Sequence, residues 1–170
     1  NENNENQITP SPEEEANFVD RFAPGALYTD TCPCCTEENI KVFEIAAVQA
    51  KLVYNRFGWH DPQGRFFVLK EDIEKEGTLE RYLSKVESGE IRPEPLVIRV
   101  NAGDCIEIRL TNFLPEFIEG NEFQRKTLTD IVGYHIHLVK FDTIVSDGAA
   151  NGWNNIAGAR KCETLIERFF

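Results

Sequence analysis

Alternation of polar and apolar side chains constrains the fold of this chain more than any other feature. In Asp104–Thr111, the apolar residues Ile106, Ile108 and Leu110 alternate with polar or small ones. Because successive side chains of a strand point to opposite faces, this pattern predicts a strand with one buried face. Similar runs, separated by turn residues, lie at Ile40–Tyr54, Leu96–Val100, Ile131–Ile144 and Glu163–Phe169. Repeated short strands of this kind predict an all-β sandwich or barrel.

Three local signals refine this picture. Ile40–Tyr54 is long and mixed in polarity, which predicts a bulge partway along the strand. Phe57–Leu69 is predicted to be a hairpin, because the turn sequence Asp61-Pro62-Gln63-Gly64 separates two aromatic-rich flanks. Thr78–Ser88 is predicted to be a short inserted helix, with Thr78 as its N-cap and Gly89 beyond its end. Its apolar residues have the i, i+3, i+4, i+7 spacing of a helix: Leu79, Tyr82, Leu83 and Val86.

The charge balance excludes some classes of partner. The 170 residues include 18 Lys and Arg against 29 Asp and Glu, a formal net charge of −11. Nucleic-acid binding needs a basic surface, so it is not expected. No apolar run approaches the roughly 18 residues that cross a bilayer, so no membrane span is expected.

The acidic residues are dense at the start of the chain. Residues 1–36 are predicted to be an extended or disordered acidic arm followed by a surface loop, because they are rich in Asn, Glu and Pro and lack periodicity. Residues 37–170 form the predicted domain, which we expect to end before its last strands. The cellular compartment stays open, with secretion favoured over the cytoplasm.

The five cysteines do not form an obvious framework. Cys32, Cys34 and Cys35 are clustered and could form disulfides, hold a soft metal or stay as thiols, since connectivity cannot be read from spacing. Cys105 is expected to be an ordinary buried thiol in its strand. Cys162 is separated from all the others in sequence.

Two of the three histidines are separated by a single residue, in His135-Ile136-His137. In a strand, residues i and i+2 share a face, so both imidazoles would point the same way while Ile136 faces the core. If the pair binds a metal that needs further ligands, the imidazoles must point toward a cleft or interface. Imidazole is a ligand for copper, zinc, iron and nickel, so His135 and His137 are candidate metal ligands. The alternative is a pair of surface or hydrogen-bonded core histidines. His60, beside a turn, is expected to satisfy its loop.

Several motifs around this pair occur together in one known family. The strand–turn–strand of Pro95–Asn112, with its Gly103-Asp104 turn and Leu-Thr-Asn ending, resembles the segment that precedes the first His-x-His pair of multicopper oxidases. Two downstream motifs resemble the loop and strand entry of that family: Ser146-Asp147-Gly148 and Lys161-Cys162-Glu163-Thr164. The resemblance covers about Ile40 to Phe170 and implies a cupredoxin-like Greek-key β-sandwich with one short inserted helix.

The chain departs from the family pattern at three places. Leu138 stands where the family usually has Gly after the second histidine, and Cys162 stands where Gly usually precedes Glu-Thr. The insertion Glu71–Arg92 is also unusual. These departures indicate an outlying branch of the family.

The resemblance implies an oxidoreductase in which copper is shared between domains. His135 would bind the type 2 copper and His137 a type 3 copper of a trinuclear site that reduces O2 to water. Further cupredoxin domains, of the same polypeptide or another subunit, would supply the remaining ligands, because this chain has no second His-x-His pair. Asp142 and Asp147 could assist proton delivery.

A type 1 copper site is excluded from this chain, since there is no Met and no cysteine closely followed by histidine. Substrate would therefore be oxidised elsewhere, and no catalytic residue is predicted in the chain alone. Two other functions stay open: a non-catalytic cupredoxin-like interaction module, and a small copper-binding protein.

Overall fold

A computed structural model of the protein describes residues 39–115, 131–143, 146–152 and 155–170. The acidic arm and the cluster Cys32–Cys35 lie outside the described residues. We number the strands and helices in chain order: β1 (Ile40–Val53), β2 (His60–Leu69), α1 (Lys70–Glu76), α2 (Leu79–Ser88), β3 (Cys105–Asn112), β4 (Ala150–Gly152), β5 (Asn155–Ile156) and β6 (Thr164–Phe169). Neither helix in the described ranges is long and apolar enough to cross a membrane.

The strands form a mixed four-stranded sheet in the order β2-β1-β3-β6. β1 runs antiparallel to β2 and parallel to β3, and β6 is antiparallel to β3. β4 and β5 form a separate two-stranded sheet. The architecture is therefore mainly β with two short helices, which confirms the strand-rich part of the prediction and the strands β1, β3 and β6.

The predicted hairpin within Phe57–Leu69 is wrong. β2 runs without a turn from His60 to Leu69, and the chain reverses before it, at Tyr54–Trp59. Asn55 stabilises this turn, because its Oδ1 accepts hydrogen bonds from the backbone N–H groups of Phe57 and Trp59 at 2.9 and 3.4 Å. The residues Asp61-Pro62-Gln63-Gly64 instead form a bulge, since the register shifts where Ala50 and Leu52 of β1 face Gly64 and Asp61.

The helix predicted at Thr78–Ser88 is confirmed as α2. The Thr78 hydroxyl accepts a hydrogen bond from the Arg81 backbone N–H at 3.2 Å, and Gly89 ends the helix in the left-handed conformation. A single helix was expected, but α1 precedes it. The only buried residue of α1 is Ile73, and its N-cap residue, Leu69, makes no side-chain capping bond. The sequence therefore has neither apolar periodicity nor a capping residue from which α1 could have been predicted.

The two faces of the sheet have different partners. The helices pack on β1 and β2, where Ile73, Tyr82 and Val86 join a cluster with Ala46, Val48, Ala50 and Val68. The opposite face carries the larger cluster, formed by Ile45, Ala47, Ile106, Ile108, Leu110, Leu114, Ala159, Leu165 and Phe169. This second face includes all three apolar residues of the alternation in β3, as the sequence predicted.

Two other predicted strands are not present as such. Leu96–Val100 makes no sheet ladder, although Leu96 and Ile98 still pack against the larger cluster. In the described part of Ile131–Ile144, regular strand is replaced by one bridge, Val132 to Ala159, and a reciprocal pair of backbone hydrogen bonds between Lys140 and Phe170 at 2.8 and 3.0 Å. The apolar periodicity in both segments therefore reflects side-chain packing without a hydrogen-bonded ladder.

Cys105 differs from the ordinary thiol that was expected. It is buried, at 2% exposure, but it is disulfide-bonded. Cys162, the other cysteine among the described residues, is free, so the partner sulfur lies outside those residues. A cysteine isolated in a strand sequence has no neighbour that signals its pairing.

Asn112 connects β3 to the loops beside it. This side chain is fully buried, and its Nδ2 donates to the Ala159 carbonyl at 2.9 Å while its Oδ1 accepts from the Leu114 backbone N–H at 2.8 Å. Because Ala159 also bridges Val132, the amide fixes β3 against the segment that leads to His135.

We expect Asn112→Ala to lower the free energy of unfolding by about 2–3 kcal/mol, because it takes away the acceptor of the buried Leu114 N–H and one of the two hydrogen bonds that the Ala159 carbonyl accepts. Thr111→Val is the matched control: it removes a single hydrogen bond, to the Thr164 hydroxyl at 2.9 Å, and should cost about 1 kcal/mol. Urea denaturation measures both. Equal losses would contradict the role assigned to Asn112.

Glu107 is the centre of an ion-pair cluster on the polar face of β3. It is 4% exposed and accepts hydrogen bonds from Arg109 at 2.7 Å and from Arg168 at 2.8 Å. Burial raises the pKa of Glu107, but the hydrogen bonds and positive charges of the two arginines outweigh it, so the net pKa lies below its usual value.

A carboxyl whose pKa is lower in the folded state stabilises the fold above its unfolded pKa, and this contribution is lost as pH falls through the folded pKa. We therefore expect Glu107→Gln to flatten the fall in stability below about pH 4.3, the ordinary value for Glu. Unfolding free energies measured across this range, with the exposed Glu87→Gln as control, test this. An unchanged pH slope in Glu107→Gln would contradict it.

Candidate functional site

His135 and His137 lie side by side with both side chains exposed, and the predicted cleft or interface around them stays a prediction. Their ring centroids are 4.7 Å apart, the rings are nearly perpendicular, and both residues are exposed. Ile136 between them packs against the larger core cluster. The shared direction of the two imidazoles is thus confirmed even though the segment is not a regular strand.

His135 has a defined hydrogen-bond partner. Its Nδ1 lies 2.8 Å from the backbone carbonyl oxygen of Asp147. Because a carbonyl can only accept, Nδ1 carries the proton, and the lone pair of the neutral ring is on Nε2. Metal-binding histidines commonly have this arrangement, in which one ring nitrogen donates to a carbonyl and the other is left to bind.

Aromatic contacts anchor the histidine pair to the core. The His135 ring meets Phe141 edge to face, with centroids 6.1 Å apart, and Phe141 contacts Phe169 at 5.9 Å. Phe169 in turn contacts Tyr134 at 5.7 Å. These rings hold the backbone on both sides of the pair against β6, so the two imidazoles are presented by a packed surface.

Tyr134 and Glu167 form a buried polar group below the pair, which the sequence analysis missed. Glu167 is fully buried and faces the apolar side of the sheet, because it is opposite Ile108 in the register of β3 and β6. Burial raises the pKa of the Tyr134 hydroxyl well above its ordinary range, and the negative charges of Glu167 and Glu107 raise it further. Tyr134 is therefore a neutral phenol. A carboxylate in the apolar phase of a strand was the signal that could have identified this group.

The two candidate aspartates are not equivalent. The Asp147 carboxylate lies 3.5 Å from the Nδ1 of His135, whereas Asp142 contributes its backbone carbonyl, which accepts from the Ser146 N–H at 2.8 Å. Among the described residues, no group of three or more His, Cys, Asp or Glu could hold a metal ion. The structure therefore brings Asp147 to the Nδ1 side of His135, but within the described ranges His135, His137 and Asp147 do not form a three-ligand metal site.

His60 is remote in sequence from the pair and has a local partner. It starts β2, and its Nδ1 lies 2.8 Å from the Gly58 carbonyl oxygen in the preceding turn. As expected, it satisfies its own loop.

Two residues in the described ranges other than glycine have a positive φ angle: Leu138, at 64°, and Cys162, at 66°. Leu138 follows the histidine pair and its side chain is fully exposed. The left-handed region is unfavourable for residues with a Cβ by about 1–2 kcal/mol, so neither residue suits its backbone conformation.

We expect Leu138→Gly to leave the free energy of unfolding unchanged or to raise it by up to about 1 kcal/mol, because relief of the backbone strain offsets the greater flexibility of glycine. The control is Val97→Gly, at an exposed position without a positive φ angle, which should lower stability. Thermal unfolding of both variants measures the difference. If Leu138→Gly lowers the stability as much as Val97→Gly does, the backbone of Leu138 is not strained.

We compared the sequence with protein families and with curated proteins. No protein-family model matches the sequence, and no curated protein matches it significantly.

Proposed function

We propose that this chain is the amino-terminal cupredoxin domain of a multicopper oxidase from an outlying branch of that family. In this proposal, His135 and His137 contribute one histidine pair to a trinuclear copper site. The observation that carries the proposal is the exposed pair itself, 4.7 Å apart, with the Nδ1 proton of His135 on a backbone carbonyl.

The two imidazoles of His135 and His137 are suitable ligands for copper. In the neutral tautomer that the Asp147 carbonyl selects, the Nε2 atom of His135 carries the lone pair, and both imidazoles are exposed. Imidazole nitrogen is a preferred ligand of copper. Bound copper would supply the reduction of O2 to water with electrons from a substrate oxidised at a type 1 copper elsewhere. The residues of this chain would hold and orient the metal, and further cupredoxin domains would provide the remaining ligands.

The two strained residues support the family assignment. Leu138 and Cys162 stand at the positions where the family pattern has glycine, and both have the left-handed backbone that glycine favours. A backbone conformation that favours glycine is therefore present at both positions although glycine is not. Two coincidences of this kind favour descent from a chain that had glycine at both positions.

The cupredoxin sandwich is also part of the proposal. It is supported by a mixed sheet whose larger apolar face is covered by the segment that carries the histidines. The parallel pairing of β1 with β3 requires a crossover between them, and the two helices lie in that crossover. The insertion thus occupies a connection outside the sheet, where an outlying branch can vary.

The alternative functions make different predictions for copper. An interaction module that lost its metal site would not bind copper through the pair. A small copper-binding protein would hold the ion with ligands from this chain alone, so its affinity would not need a second domain.

We expect His135→Ala and His137→Ala each to weaken copper binding at least about tenfold, because the loss of a ligand removes one of the two imidazoles that the metal contacts. Stability should change by no more than about 0.5 kcal/mol in His137→Ala. It should fall by about 1 kcal/mol in His135→Ala, which loses the hydrogen bond to the Asp147 carbonyl. Calorimetric titration with Cu²⁺ and thermal unfolding measure the two effects.

His60→Ala is the matched control, because His60 is also exposed and also has its Nδ1 on a backbone carbonyl. Its copper affinity should equal that of the wild type. If the His135 and His137 variants unfold while copper affinity stays the same, the pair is structural and the proposal is wrong.

A further inference from the structure

We propose that Gly148 is a positioning residue for His135. In this inference, a close backbone contact between Gly148 and the Gly133–Tyr134 peptide holds the Asp147 carbonyl against Nδ1 and so fixes which ring nitrogen can bind metal. The link to metal rests on the proposed function, but the effect on the ring proton does not.

The contact is too close for any side chain. A Cβ atom on Gly148 would lie 1.8 Å from the carbonyl oxygen of Tyr134, and a Cβ atom on Gly133 would lie 2.2 Å from the carbonyl oxygen of Gly148. Both obstacles are backbone atoms, which cannot rotate away as a flexible side chain can. Gly148 also has a φ angle of 69°, in the region that favours glycine.

The two sides of this contact are the immediate neighbours of the two hydrogen-bonding groups. Tyr134 precedes His135, and Asp147 precedes Gly148. Any separation of the two backbones therefore moves the Asp147 carbonyl away from the imidazole. The bond is now 2.8 Å long, and a shift of about an ångström would take it beyond hydrogen-bonding range.

The rest of the loop is tied down on both sides of Gly148. The Ser146 N–H donates to the Asp142 carbonyl at 2.8 Å, and the Ser146 hydroxyl accepts from the Arg168 N–H at 3.3 Å. On the other side, the Ala157 N–H donates to the Ala149 carbonyl at 2.9 Å. With these anchors in place, the glycine contact sets the distance between loop and imidazole.

The test uses Gly148→Ala and a control with the same backbone conformation but no neighbour. Gly103 has a φ angle of 88°, and a Cβ atom there would meet nothing within 4 Å. Gly103→Ala therefore reproduces the cost of a left-handed alanine without the steric clash. Long-range ¹H–¹⁵N NMR of metal-free protein at alkaline pH, where imidazole is neutral, reports which nitrogen of His135 carries the proton.

In the wild type and in Gly103→Ala, we expect the proton of His135 on Nδ1. In Gly148→Ala, we expect a mixture of the two forms and a Cu²⁺ affinity about 10–100-fold weaker, the usual effect of losing a group that orients a metal ligand. Asp147→Asn should keep the proton on Nδ1, because the acceptor is the backbone carbonyl.

The result that would overturn the inference is a proton on Nε2 in the wild type, or one that stays on Nδ1 in Gly148→Ala. A shift caused by Asp147→Asn would assign the role to the carboxylate instead and would also overturn it. If Gly148→Ala does not fold, Gly133→Ala presses on the same contact from the other side and is judged by the same criteria. If the proton moves as expected but the wild type binds no copper, the positioning role stands and the proposed function fails.

Discussion

Packing against the apolar face of β3 and β6 is the interaction on which the rest of the described structure depends. Among the described residues, the backbone pairing of the segment that carries the histidines is limited to one bridge, one reciprocal pair of hydrogen bonds with Phe170 and the bond from Ser146 to Asp142. Its contact with the core is made by the side chains of Val132, Tyr134, Ile136, Val139 and Phe141. Burial of one large apolar side chain contributes about 1.5–3 kcal/mol, so packing is the larger stabilising contribution. The outward direction of His135 and His137 follows, because the core takes the residues between and beside them.

The sequence predicted elements whose evidence is periodic and local. β3 has a clean two-residue alternation, and α2 has four apolar residues at helical spacing together with a cap at each end, so both elements were predicted correctly. The expectation of a single buried face in β3 was wrong, because Cys105, Glu107 and Thr111 on its other face are buried as well. The bulge between β1 and β2 was predicted on β1, whereas the register places the extra residue on β2, at Pro62–Gln63. A turn signal such as Asp61-Pro62 can therefore mark a bulge when the neighbouring strand is long enough to continue past it.

For the candidate site, too, the sequence predicted the local features and missed those that depend on contacts between distant segments. The histidine pair could be found from its spacing, because the direction of a side chain is a local property. The Asp147 carbonyl could not be assigned, since its role depends on which backbone segments meet in three dimensions. Glu167 could have been recognised from its place in the apolar phase of β6, but its proximity to Tyr134 could not. Likewise, the disulfide of Cys105 depends on a contact between distant parts of the chain.

The bulge in β2 has a consequence for association between molecules. In the part of the chain that the structure describes, β2 is an edge of the four-stranded sheet, so its outward backbone groups could pair with a strand of another molecule. Pro62 is exposed there and has no backbone N–H to offer, and the bulge interrupts the regular spacing of donors and acceptors. An incoming strand therefore meets an incomplete template, and this edge is protected against the sheet extension that leads to aggregation.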